Sequence, residues 1–83
     1  MGKHRLSQRD LRKVLRSFGV VEDPSRGKGS HTVFFKEIEG GIYTYPVPTN
    51  CEPVLPCYVK GARKKFRLTE ADGVSDEDFF GRA

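Results

Sequence analysis

Eighty-three residues, 36% of them apolar and 31% charged, are enough for one domain with one modest core and exclude a multidomain enzyme or a large cofactor-binding fold. A formal charge of +4 and an isoelectric point near 9.3 favour an anionic partner over a neutral one. No stretch approaches the length of apolar sequence that a membrane span needs. The opening Met1-Gly2-Lys3-His4-Arg5 has no apolar run behind its charges, so neither a signal peptide nor a membrane partner is expected and the location is read as cytoplasmic.

The first element in the chain is a predicted helix. Ser7 is placed as its N-cap, with Asp10 three residues on as a capping-box acid, and Leu6 and Leu11 stand at the staple positions. Leu11, Val14, Leu15 and Phe18 recur at helical spacing and form one apolar stripe, Gly19 is placed for a C-terminal stop, and Arg9, Arg12, Lys13 and Arg16 fall on the opposite face. Val20–Glu22 reads as a brief edge strand. Asp23–Gly29, rich in Gly and Pro, reads as a loop. Ser30–Glu37 and Ile42–Val47 have strand compositions, and Glu39-Gly40-Gly41 between them reads as a hairpin link. Pro46 and Pro48 are expected to end the second of these strands.

Residues 49–56 are predicted loop until Pro56, a suitable first residue for a second helix. There Val59, Ala62 and Phe66 repeat at helical spacing with Leu55 leading in, while Lys60, Lys64 and Arg67 project elsewhere. Gly61 inside this helix costs about 1 kcal/mol relative to Ala. Thr69–Val74 reads as a turn, and Ser75 with Asp78 as a second capping box opening a short acidic helix that ends in Phe79-Phe80. The expected architecture is a single α+β domain over residues 1–83. Its order is α-β-β-β-α, with a three-stranded antiparallel sheet, two helices on one face, the other face partly open, and a short C-terminal helix.

The charge is unevenly distributed. Residues 1–16 carry six basic groups against Asp10, a net +5, and Lys60–Arg67 contributes another +5, whereas the remaining chain is net negative. One basic helix face is ordinarily a solvated face. A second in an otherwise acidic chain points to RNA or DNA, with Arg9, Arg12, Lys13, Lys60 and Lys64 as candidate phosphate contacts. Tyr43 and Tyr45 alternate on one strand, suited to stacking on bases or, more commonly, to packing against a neighbour.

Gly27-Lys28-Gly29-Ser30-His31 leads directly into a strand. Its glycines let backbone approach a ligand, Lys28 and the Gly29 and Ser30 amides suit a phosphate, and His31 is a side chain fit for proton transfer. The bland alternative is a surface loop ending in a surface histidine. His31 shares strand parity with Val33 and Phe35, which places it either at the edge of the core or in open solvent; alternation alone does not decide which. Acids are scattered through turns and helix starts rather than clustered, so no two-metal nuclease, no resident metal and no cofactor are expected. Cys51 and Cys57 read as reduced and incidental.

Several of these segments together resemble the HicA (YcfA-like) family of small mRNA interferase toxins. Ser7-Gln8-Arg9-Asp10-Leu11-Arg12-Lys13-Val14-Leu15-Arg16-Ser17-Phe18-Gly19 is similar to the family's opening helix and stop. Gly27–His31 is similar to its G-S-H signature, and Tyr45-Pro46-Val47-Pro48 to its strand-ending V-P segment. Ala62-Arg63-Lys64-Lys65-Phe66 with Gly73–Phe79 is similar to its last helix and tail. The resemblance implies a double-stranded-RNA-binding-domain-like fold and an endoribonuclease of a type II toxin–antitoxin system. It further implies His31 as the catalytic histidine, mRNA as substrate and a HicB-like antitoxin as protein partner. Many members carry a second histidine shortly after the V-P segment, where this chain has Thr49-Asn50. A metal-independent mechanism with a single histidine is therefore the expectation. The alternatives are a non-catalytic RNA-binding module of the same fold, or a domain that chiefly docks an acidic partner protein.

Overall fold

The computed structural model describes residues 6–23 and 31–83. Within them the chain forms helix α1 (Gln8–Ser17), strands β1 (Val21–Glu22), β2 (His31–Ile38) and β3 (Gly41–Pro48), helix α2 (Pro56–Lys65), a 3-10 turn (Glu70–Asp72) and the short helix α3 (Asp76–Phe80). The strands make one antiparallel sheet in the order β1-β2-β3. This is a small α+β fold in the expected element order. Of the predicted loop, only Asp23 falls within the described residues. No described helix is long and apolar enough to cross a membrane.

α1 forms for the reasons its sequence suggests. The Ser7 hydroxyl accepts a hydrogen bond from the Asp10 N–H at 3.0 Å, satisfying one of the helix's orphan donors. Leu11, Val14 and Leu15 are fully buried. The helix ends in a Schellman turn: Gly19 takes φ +87°, and the Val20 N–H donates to the Leu15 carbonyl at 2.9 Å. The reciprocal capping box forms at Thr69 and Asp72, within the expected turn. Hydrogen bonds from Thr69 hold the Asp72 carboxyl below its usual range.

The hairpin differs from expectation by one residue. Ile38 pairs with Gly41, so the loop is Glu39-Gly40 alone, with φ of 52° and 82°. Positive φ at both positions is the type I′ pattern, whose twist matches that of the flanking strands. The prolines also behave differently. β3 runs through Pro46, opposite Val33, and on to Pro48, opposite His31. β3 is an edge strand, where a residue without an N–H facing outward removes no ladder bond, so these prolines sit within the strand instead of ending it.

Strand alternation sorts the sheet into two faces. Phe34, Tyr45 and Val47 turn toward the helices, and Phe34 and Val47 join the core with Leu6, Leu11, Val14, Leu15, Val59, Ala62, Phe66 and Phe79. The other face carries Val21, Val33, Phe35, Ile42 and Pro46, and Ile42 is 70% exposed. Leu55, expected to lead the apolar stripe of α2, is instead exposed. It is the N-cap residue, one position before the helix has turned its apolar side inward.

Both long helices start at the same end of the sheet. Leu6 and Val54 form an isolated antiparallel bridge, with the Val54 N–H donating to the Leu6 carbonyl at 2.8 Å. The Gln8 side-chain amide donates to the carbonyls of Pro48 at 2.8 Å and Cys51 at 2.6 Å. The segments leading into α1 and α2 therefore lie side by side next to the end of β3, and Pro48 there pairs with His31.

Gly61 is explained by close approach rather than by flexibility. A Cβ at this position would lie 2.6 Å from Tyr45 Cζ and overlap its hydroxyl. Burial pushes the Tyr45 phenol above its ordinary range, and Cys57 and Tyr58 add to the shift. Gly61→Ala is predicted to lower stability by about 1–3 kcal/mol in a urea titration despite Ala's better helix propensity. In a Tyr45→Leu background, which withdraws the ring, the same change should cost much less, and additive effects would show that the ring does not set the α2–β3 spacing.

Candidate functional site

His31 is the first residue of β2, and its side chain is exposed. Phe34, not Val33 or Phe35, faces the core, so the choice that strand parity left open falls on the side away from the described helices, and His31 is not at the core edge. An exposed strand-end imidazole is accessible to a polymer substrate, which a core-edge position would not allow. Asp23 shares this face, because its N–H donates to the Val33 carbonyl at 2.8 Å, continuing the β1–β2 pairing. Gly27, Lys28, Gly29 and Ser30, expected to seat a phosphate beside His31, lie outside the described residues, as does His4.

The α1 cations form a surface of their own. Arg9, Arg12, Lys13 and Arg16 line a shallow groove of about 490 Å³ together with Ser17. Arg9, Lys13 and Arg16 are exposed. Arg12 Nε lies 3.0 Å from a Glu22 carboxylate oxygen, but its N–H points off that line, so the contact is an ion pair without a hydrogen bond. This pair ties α1 to the β1 edge and takes part of the Arg12 charge from the groove. α1 packs on the helix-bearing side of the sheet, so its groove and His31 occupy different layers. Among these cations Arg9 stands closest in the chain to the His31 end, directly after Gln8, which holds the Pro48 carbonyl.

The second basic segment divides more sharply. Lys60, Lys64, Lys65 and Arg67 are exposed, but Arg63 is buried at 8%. Its Nε donates to the Leu68 carbonyl at 2.8 Å, Nη1 to Asp76 at 2.7 Å and Nη2 to the Val74 carbonyl at 3.0 Å, while its plane covers the Phe79 ring at 4.7 Å. Arg63 is one of the five charges counted in the basic segment Lys60–Arg67 but is not among its candidate phosphate contacts. Its three-way donation instead fastens the C-terminal segment onto α2. The signal that separates it from its neighbours is periodic: Arg63 follows Ala62 and stands four residues after Val59, on the buried stripe.

Lys64 also borders a groove of about 450 Å³ formed by Tyr43, Tyr45, Gly61, Lys65 and Arg67 at the β3–α2 seam. Tyr43 and Tyr45 face this seam and pack against α2, so they are not on the open sheet face beside His31. Arg67 and Lys65, absent from the expected contacts, are its additional cations. Among the described residues no group of three or more His, Cys, Asp or Glu side chains is placed to hold a metal ion. Cys51 and Cys57 are free thiols.

Removing the buried guanidinium should disturb folding rather than binding. Arg63→Met is predicted to lower unfolding stability by about 3 kcal/mol, because it leaves the Leu68 and Val74 carbonyls without their donor. Lys60→Ala and Lys64→Ala should each change it by less than about 0.5 kcal/mol. Thermal denaturation of the three variants checks this ranking. Comparison with models of protein families, with curated proteins and with solved structures finds no match for the chain.

Proposed function

We propose that the chain is a HicA-like endoribonuclease toxin with a double-stranded-RNA-binding-domain-like fold, cleaving mRNA through His31 without a metal and restrained by a HicB-like antitoxin. The observation that carries this reading is an exposed imidazole at the first position of β2, on the sheet face opposite the described helices, immediately after the Lys28-Gly29-Ser30 segment in the sequence. The α-β-β-β-α order and the two strongly basic segments agree with it.

In the proposed reaction neutral His31 accepts the proton of a ribose 2′-hydroxyl as that oxygen attacks the adjacent phosphorus. The bond from phosphorus to the 5′-oxygen breaks, and the departing oxygen takes a proton from water. The products are a 2′,3′-cyclic phosphate and a 5′-hydroxyl. Lys28 and the Gly29 and Ser30 amides supply positive charge and N–H groups to the phosphoryl oxygens as their charge grows. Exposed cations, among them Arg9, Lys13, Lys60 and Lys64, hold the polyanion through its phosphates.

His31→Ala is expected to remain folded and to lose about 10²–10⁴-fold in cleavage rate. Expressed alone, it should no longer arrest growth, and full toxicity in this variant would refute the assignment. Wild-type cleavage should persist in EDTA, whereas activity that vanishes there and returns with Mg²⁺ would replace the proposed chemistry with a metal-dependent one. Tight RNA binding with no cleavage by wild type would identify a binding module.

A further inference from the structure

α1 and α2 face the same structural problem at their C-termini and solve it with different residues. Each closes with a Schellman turn that needs one residue in the left-handed region. In α1 that residue is Gly19. In α2 it is Arg67, at φ +59°, with the Leu68 N–H donating to the Arg63 carbonyl at 2.7 Å. A side chain at such a φ is strained where glycine is not. The negative end of the helix dipole accounts for Lys64 and Lys65 in the last turn, but it does not require arginine at the strained position. Backbone strain kept for the sake of a side chain directs attention to what that side chain does.

The Arg67 guanidinium is presented at the β3–α2 seam. Nη1 lies 3.2 Å from Glu39 Oε1, and Nη2 donates to the Tyr43 hydroxyl at 3.5 Å. Cζ sits 5.7 Å from the Tyr43 ring centroid, and Lys65 Nζ 5.9 Å from the same ring. Glu39 is the other described non-glycine residue with positive φ. It is 77% exposed. The two strained residues thus hold each other, and the Glu39 carboxylate already places an oxyanion where Arg67 can grip one.

We propose that Arg67, Lys64, Lys65 and Tyr43 form a docking groove for single-stranded RNA, in which Arg67 and the lysines take backbone phosphates and Glu39 competes with them for Arg67. Charge complementarity selects a polyanion, and an aromatic ring flanked by cations suits a single strand, whose bases stack while its phosphates are neutralised. The groove lies on the helix-bearing side of the sheet toward the hairpin, where Tyr43 pairs with Lys36, about 17 Å along β2 from His31. It therefore serves to retain the RNA and not to cleave it. This inference rests on the reading of the chain as RNA-binding but not on cleavage by His31.

The test uses the full chain and a 2′-O-methylated single-stranded oligonucleotide of about ten residues, a length within the site sizes of such grooves. Methylation removes the attacking hydroxyl, so binding is measured without turnover. Arg67→Gly is the informative variant, because glycine accepts the left-handed backbone and its melting temperature should match or exceed that of wild type. Its affinity should fall, and its plot of log affinity against log salt should be less steep by about 0.7, the change for one lost phosphate contact on a single strand. Lys65→Ala should behave alike in binding. Glu39→Gln should tighten binding, an effect that a merely structural ion pair would not produce. Unchanged affinity and salt slope in Arg67→Gly, or weaker binding in Glu39→Gln, would overturn the groove. So would capture of a polyglutamate peptide in place of RNA, which would mark the seam as a protein interface. Loss of the groove effects alongside intact His31-dependent toxicity refutes the groove alone; groove effects alongside a toxic His31→Ala protein refute the catalytic reading alone.

Discussion

The Arg63 guanidinium is the one charged group buried among the described residues, and the C-terminal third of the fold is organised around it. A buried cation is tolerable only when its donors are matched, and here they meet the Leu68 and Val74 carbonyls and the Asp76 carboxylate. These partners flank the 3-10 turn, so one side chain fixes both its entry and its exit. Phe79 then slides beneath the guanidinium and stacks on Phe18 with ring centroids 5.9 Å apart. The short α3, only five residues long, has too little helical stability of its own. It persists because it closes the space between α1 and α2. Arg82 completes this closure from the α1 side, lying 4.0 Å over the Phe18 ring while pairing with Asp78.

This docking has a consequence for the surface. The helices and α3 cover one face of the sheet, leave Tyr43 and Tyr45 half-buried at the β3–α2 seam, and take up Arg63 in holding the C-terminal segment. His31 is left on the other face and at the far end from the hairpin. Candidate substrate contacts are consequently spread over three places: the sheet end, the outer side of α1 and the β3–α2 seam. A folded ligand would struggle to meet such a distribution, whereas a flexible polyanion can follow it.

Much of the fold was legible in the residues. The apolar stripe of α1, the Ser7 and Ser75 caps, Pro56 at the start of α2 and the alternation of the strands each rest on local physics, and local physics is what sequence spacing encodes. The errors have physical causes as well. Pro46 and Pro48 read as strand terminators because a proline's effect depends on whether its strand lies at an edge, which is a property of the whole sheet. Leu55 read as core because hydrophobicity carries no direction by itself. Gly61 read as a blemish in a helix because the Tyr45 ring that requires it stands sixteen positions earlier in the chain.

For the candidate site, the sequence alone determined which groups exist: a lone histidine opening a strand after Gly27-Lys28-Gly29-Ser30, two clusters of positive charge, and no concentration of acids suited to metals. Their roles depended on burial and on facing, which only the tertiary structure decides. Composition treats Arg63, Lys64 and Arg67 as three equal charges. Packing makes the first a buried fastener, leaves the second in solvent and strains the third into a groove beside Tyr43. Strand parity linked His31 to Val33 and Phe35, but it could not say which side the helices would cover. That choice follows from where Phe34, Val47 and the stripes of α1 and α2 bury the most apolar surface together, a sum over residues distant in the chain that no local window contains.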